Sequence, residues 1–375
     1  MTPMINEERL ISLFKKLCLI NAPSLKEREC ADFVKSYLTD IGLDVEEDDS
    51  GKKIGSNANN VIATLKGTVS GAPRVFLSAH FDTVEPTEGL IIEEKDGVMY
   101  SASDTILGAD DKGGMAPAIE AVHALMESGT EHGDVVLLLT TAEEIGLKGA
   151  AALDIGSLDL DFGYVLDTGP PVGTFVTRTA THDSLDAVIH GKPAHSGKNP
   201  EDGISALEVV ARAISRMKLG RISEETTANF GLIQGGTAVN VVCPTVKIRG
   251  EARSTSVEAL NAQIDHMIGE LESAAREFGA TVVIDHDRHY NAYHVEDDQP
   301  VVQHAQAAAK KLGLTGALRT TLGGSDGNIF NEKGVPSIVI ATGMDKIHTH
   351  EECISRKDLW LTADLTLEIL RQVAG

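Results

Sequence analysis

The feature that most constrains this fold is where the chain keeps its acids and histidines. They recur at five separate points, mostly just past the ends of apolar runs. The run 75–79 leads to His80 and Asp82, and a polar turn ends in Asp110 ahead of a helical pattern. The run 135–139 leads to Glu143 and Glu144, 164–166 leads to Asp167, and 338–341 leads to a loop carrying His348. Unbroken Val/Ile/Leu runs between helical patterns read as strands of a parallel sheet buried on both faces. Ligands of such sheets bind in the crevice beyond the carboxyl ends of the strands. Residues spread over nearly the whole sequence are therefore expected to meet in one place. Two imidazoles and several carboxylates at one crevice suit a pair of divalent metals.

Composition narrows the classes. A chain of 375 residues exceeds one ordinary core, so two domains are expected. A net charge of −23 argues against nucleic acid or an anionic membrane as partner. No apolar run approaches a membrane span, and Asn6-Glu7-Glu8 leaves no secretory apolar segment at the start. Cys18, Cys30, Cys243 and Cys353 stand apart with no C-x-x-C spacing, which reads as reduced thiols rather than a disulfide framework. A cytoplasmic location is expected.

Up to about residue 170 helical and strand patterns alternate. Leu10, Phe14 and Leu17, then Phe33, Tyr37 and Leu38, mark amphipathic helices, with strands at 61–65 and 74–79 and a helix over 112–126. The Gly/Pro segment 168–173 breaks this style. Beyond it Leu185, Ala187 and Ile189 alternate with polar neighbours, as do Val246, Ile248, Gly250 and Ala252, giving strands with one buried face. Ile204, Leu207, Val210, Ala211 and Ile214 keep helical spacing. Thr255 and Glu258 form a capping-box signature for a second helix bearing Leu260, Ile264, Met267, Leu271 and Phe278. A strand at 281–285 closes this part, and the first style returns with a helix over 301–312, a strand at 338–341 and a helix from Leu359. The expected fold is α/β, with a mainly parallel sheet and helices on both faces, discontinuous over residues 1–177 and 291–375. Residues 178–290 form an inserted α+β, ferredoxin-like domain.

Each candidate has an ordinary alternative. His80 and Asp82 lie two apart on an extended segment, so both side chains emerge on one side; a carboxylate there can accept the second N–H of a liganding imidazole. The same pair could be a solvated strand end. Asp110 could be a helix cap, Asp167 could cap a turn, and His348 competes with His350 in Ile347-His348-Thr349-His350-Glu351-Glu352. Adjacent residues at a strand end point different ways, so one of Glu143 and Glu144 can ligate while the other faces a water. Jointly, five such points are poorly explained by chance.

Taken together, His80-Phe81-Asp82-Thr83-Val84, Gly108-Ala109-Asp110-Asp111-Lys112-Gly113-Gly114, Thr141-Ala142-Glu143-Glu144, Asp167 and His348-Thr349-His350-Glu351-Glu352 resemble the co-catalytic zinc peptidases of the M20 family. Ala109-Asp110-Asp111-Lys112 and Gly323-Gly324-Ser325-Asp326-Gly327-Asn328 look most like its peptidase T-like branch. The resemblance covers essentially the whole chain. It implies two Zn2+ per subunit (Mn2+ or Co2+ also suit such N/O donors), with Asp110 bridging them. His80 and Asp167 would complete one site, and Glu144 and His348 the other. Asp82 would support His80, Glu143 would be the general base, and a cis peptide would join Asp110 to Asp111. The H-x-x-x-E spacing to Glu352 selects His348 over His350. The resemblance further implies that the inserted domain is a dimerisation lid. There His195, in Gly191-Lys192-Pro193-Ala194-His195-Ser196-Gly197, would reach substrate, and Asn240 and Arg253 would hold a substrate carboxylate. Arg253 could equally be one more charge on a polar strand face beside Lys247 and Arg249.

The implied activity is a dinuclear zinc exopeptidase of short peptides, like an aminotripeptidase. A carboxypeptidase or N-acyl amino acid deacylase with the same metals is the runner-up. A non-catalytic binding protein on this fold would have no need of Glu143.

Overall fold

The computed structural model describes residues 5–374. Fully buried strands run Val135–Thr140, Val75–His80, Phe162–Val165 and Ser337–Ile340, side by side and parallel. Because alternate side chains point to opposite faces and all are buried, helices must cover both faces. Val61–Leu65 and Asp44–Glu47 extend the sheet antiparallel on one side; Thr174–Arg178 and Ala317–Thr320 extend it on the other, making eight strands. The helix Ala109–Ser128 is buried nearly all round, as expected of a helix wrapped by others on the sheet. Glu7–Cys18 and Arg356–Ala374 pack against it. Gly114 permits this closeness: any side chain there would run into the Leu166 carbonyl. That contact puts the start of the helix beside the strand end leading to Asp167.

Arg178–Ala292 and Thr321–Gly324 form a second compact unit. Its core sheet holds, in spatial order, Thr226–Gly235, Thr245–Ser254, Thr181–His190 and Thr281–Tyr290, all antiparallel, with Gly220–Arg221 at one edge. With helices Ala206–Arg216 and Val257–Phe278 the chain order is βαββαβ, the ferredoxin-like arrangement. Thr181–His190 alternates buried and half-exposed residues, so the helices cover one face. Thr321–Gly324 joins this unit because Thr321 N–H donates to the Arg178 carbonyl (3.0 Å) and Leu322 O accepts from Arg253 (3.3 Å).

Three local expectations change. Ser256, not Thr255, caps the long helix: its hydroxyl accepts from Ala259 N–H (3.2 Å), and the helix begins at Val257. Either adjacent hydroxyl fits the sequence, and backbone direction decides. Asp110 is not a cap: the regular helix begins after Asp111, whose Oδ1 accepts from Gly114 N–H at 3.1 Å. A three-stranded sheet of Cys353–Ser355, Val98–Ser101 and Ile92–Lys95 was not expected, its strands being short and largely polar.

Glu47 ties the first strand to a neighbouring helix and loop. Arg28 (2.6 Å), Lys35 (2.7 Å) and Asn59 (3.0 Å) donate to it, and chiefly the Arg28 bond lowers its pKa to about 2. That lies below an unfolded value of about 4.3, so the stabilisation is complete above about pH 5 and fades as pH falls towards about 2. Discounted for solvent screening, it is about 1 kcal/mol. Glu47→Gln should lower Tm by about 1–2 °C at pH 7 and leave it unchanged near pH 2. An equal gap at both pH values would refute this.

Candidate metal centre

The strand ends bring the acids and imidazoles together. One ligand atom each from His80, Asp110 and Asp167 lie within 4.8 Å of one another, and so do atoms of Asp110, Glu144 and His348. Asp110 belongs to both groups. Its Oδ1 is 3.3 Å from His80 Nε2, and its Oδ2 is 3.2 Å from His348 Nε2. Glu144 Oε1 lies 2.9 Å from the same His348 nitrogen. His350 belongs to neither group: it is exposed and faces Asp104 at 3.6 Å. The Asp110–Asp111 peptide is cis.

Several backbone features aim these groups. Asp110 and Asp111 leave helical φ/ψ before the regular helix begins. Buried Lys112 donates to the Phe81 carbonyl and pins the motif to the strand end after His80. Ala142 and His348 sit at φ +53° and +63°, conformations sparsely used by L-residues and concentrated at functional sites.

Asp82 does more than the expected support of His80. His80 Nδ1 is 2.9 Å from the Asp82 main-chain carbonyl and 3.4 Å from its carboxylate. Donating there leaves Nε2 as the free lone pair facing Asp110. The Asp82 carboxylate itself accepts from Glu143 N–H (2.9 Å), Glu144 N–H (3.1 Å) and Ser24 Oγ (2.6 Å). Glu27 holds the preceding residue, accepting from Ala142 N–H at 3.0 Å and from Ser56 Oγ at 2.7 Å. Sequence reasoning missed Ser24 and Glu27. Their S-x-x-E spacing reads as a helix cap, whereas both side chains turn to the loops of the site. Thr140 donates to buried Asp326, which belongs to the Gly323–Asn328 motif noted only for its resemblance.

Burial and crowding of like charges set the electrostatics of the site. Burial raises the pKa of Asp167 and Glu143 well above the usual carboxylate range, and neighbouring acids add to it. Burial opposes charge on His80, yet Asp110 and Asp82 outweigh it and raise its pKa. Donating to the Asp110 and Glu144 carboxylates favours the charged imidazole and raises the His348 pKa to about 10. Asp110 Oδ1 is buried with no hydrogen-bond partner. An orphaned oxygen on a carboxylate that belongs to two N/O donor groups suits a pair of divalent cations. His348→Ala should therefore weaken divalent-cation binding, and His350→Ala should leave it unchanged. Equal cation binding in His348→Ala and the wild-type protein would exclude His348.

His195, Asn240 and Arg253 lie on the second unit. His195 is exposed and bridges to Val241, and Ser196 N–H donates to the Asn240 carbonyl (3.0 Å). Arg253 is held by Glu251 (3.0 Å), Leu322 O (3.3 Å) and Tyr290 Oη (3.5 Å). It is thus more fixed than a free charge on a strand face.

Residues 76–372 match the family model described as peptidase family M20/M25/M40. A Bacillus subtilis (strain 168) protein named YqjE is 39% identical over 99% of this chain and 100% of its own length. A tripeptidase structure from Staphylococcus aureus subsp. aureus Mu50 superposes with a TM-score of 0.95 at 40% identity, covering 99% of both chains. The aminopeptidase PepT structure from Bacillus cereus ATCC 10987 gives 0.90 at 40% identity, covering 99% of this chain and 100% of its own. Among the described residues no helix is long and apolar enough to cross a membrane. The chain belongs to peptidase family M20/M25/M40, in its peptidase T-like branch, and is a hydrolase of peptide bonds.

Proposed function

We propose that this protein is a dinuclear zinc exopeptidase that removes residues from the amino end of short peptides. The observation that carries the reading is one carboxylate, Asp110, shared by two three-residue groups beside a spare buried glutamate, Glu143. His80, Asp110 and Asp167 would hold one cation, and Asp110, Glu144 and His348 the other. When bound, the pair would polarise the scissile carbonyl and lower the pKa of a water towards about 7. Glu143 takes the proton of that water as it attacks the carbonyl carbon, then passes it to the departing amine. Asp82 keeps Glu143 and Glu144 in place through their backbone N–H groups. The 40% identical structure of the aminopeptidase PepT supports the choice of substrate end, and the 40% identical tripeptidase structure supports short peptides as substrates.

The second unit is assigned substrate binding, through His195, Asn240 and Arg253, and homodimer formation. Gly220–Arg221 pairs only with Thr227 and Ala228, so the outer edge of the neighbouring strand beyond them has no partner among the described residues. Leu232 and Ile233 are exposed there. A second copy related by a two-fold axis would cover both and close the edge.

A panel of tripeptides with free or blocked amines, dipeptides and N-acyl amino acids, assayed with added zinc, tests the reading. Free-amine tripeptides should turn over fastest. Preference for blocked or acylated substrates would replace it with the carboxypeptidase or deacylase.

A further inference from the structure

The loop bearing His348 carries a second group aimed at the metal centre. Asp345 and Cys353 exchange backbone hydrogen bonds (2.9 and 3.1 Å), closing the loop between them, and Glu352 N–H donates to the Thr349 carbonyl (3.0 Å). The Glu352 carboxylate is fully buried. Its Oε2 accepts from Gly108 N–H at 2.7 Å and its Oε1 from Asp110 N–H at 3.0 Å. Gly108 has φ +71° and stands where the chain turns into the cis Asp110–Asp111 segment. One carboxylate therefore grips both sides of that turn, from a loop more than two hundred residues further along the chain. Without the acceptor two buried N–H groups would be left unpaired.

We infer that Glu352 is a positioning residue of the metal centre: it fixes Asp110 relative to His348, so that the two cation sites exist as one preformed unit. This rests on the two-cation reading. Glu352 touches neither substrate nor cation; it acts through the backbone of Asp110. The consequence is for cation affinity more than for overall stability. Supporting contacts to ligands are typically worth roughly 10–100-fold in affinity. A glutamine keeps the shape but can accept through only one atom, while its NH2 would confront an N–H.

The test uses the full chain, stripped of metal and titrated with Zn2+, and with Co2+ for its visible spectrum. Glu120 gives the control. It is another buried carboxylate, held by Arg9 and Asn6 N–H, and Glu120→Gln should lower stability while leaving zinc affinity at the wild-type value. Glu352→Gln should weaken zinc binding roughly 10–100-fold and alter the Co2+ spectrum. Once zinc is saturating, kcat should recover most of its wild-type value. Wild-type zinc affinity and an unchanged Co2+ spectrum in folded Glu352→Gln would overturn the inference. If the wild-type chain itself binds fewer than two equivalents, the two-cation reading fails and the inference falls with it. Amide exchange in the metal-free wild-type protein needs no variant: slow exchange at Gly108 and Asp110 is expected, and free exchange there in an otherwise protected chain would equally overturn the inference.

Discussion

Zinc-replete Glu143→Gln is expected to hold two metal equivalents and to turn over peptide roughly 10²–10⁴-fold more slowly than the wild-type protein. The expectation comes from where Glu143 sits. It belongs to neither donor group, although its Oε2 is 3.9 Å from His80 Nε2. Burial pushes its pKa up, and nearby Asp326 and Glu144 push it further, so it holds a proton more readily than an exposed glutamate. A group that must take a proton and give it back works best with such a balance. Its N–H is anchored on Asp82, so a glutamine of the same shape should leave the Ala142–Glu144 turn unchanged. The loss should therefore fall on kcat, with substrate binding and metal content intact. Near-wild-type turnover in a sample carrying both metals would remove Glu143 from the role of base.

What the sequence discloses about this fold follows burial. The strands ending near His80, Glu143 and Asp167 are surrounded on both faces, and such strands are built from mostly apolar runs, interrupted here only by small residues such as Ser78 and Gly163. Their ends are legible to within a residue or two: the runs 164–166 and 338–341 become Phe162–Val165 and Ser337–Ile340. Edge strands carry no such constraint. Ala317–Thr320 and Ile92–Lys95 are half or fully exposed and mostly polar, so nothing in their residue types separates them from loops. In the ferredoxin-like unit the alternating pattern 185–189 continues to Thr181 and His190, since one face is covered and the other is open.

The site divides along a different line. Candidate ligands are visible because metals select residue types, and histidine or aspartate at the end of an apolar run is conspicuous. The groups that hold them are not. Glu27, Asp82 and Glu352 act on backbone N–H groups of Ala142, Glu143, Glu144, Gly108 and Asp110, and a backbone N–H has no sequence signature. Only the fold brings Glu27 to Ala142, 115 positions away. Asp82 stands out in the sequence for its neighbour His80, but three of its closest partners lie elsewhere.

Asp110→Ala should empty both cation sites at once, an outcome no other single ligand should produce. Each group contains three residues and the two share Asp110, so the substitution leaves His80 with Asp167 and Glu144 with His348. Two donors fall short of the three protein ligands usual even in open catalytic sites. The second loss is electrostatic. Two dications held by these groups would repel, and the Asp110 carboxylate would offset that repulsion; Asp110→Asn, which keeps the size but not the charge, should fail almost as badly. His348→Ala, by contrast, leaves the His80–Asp110–Asp167 group complete and should retain one equivalent. A thermal melt gives a second view. A cation that binds only the folded chain adds about 2.7 kcal/mol at a hundred times its dissociation constant, so zinc should raise the wild-type Tm and leave that of Asp110→Ala flat. Metal analysis finding two equivalents in Asp110→Ala, or a Tm that still climbs with zinc as in the wild-type protein, would show that the carboxylate is not shared between two cations.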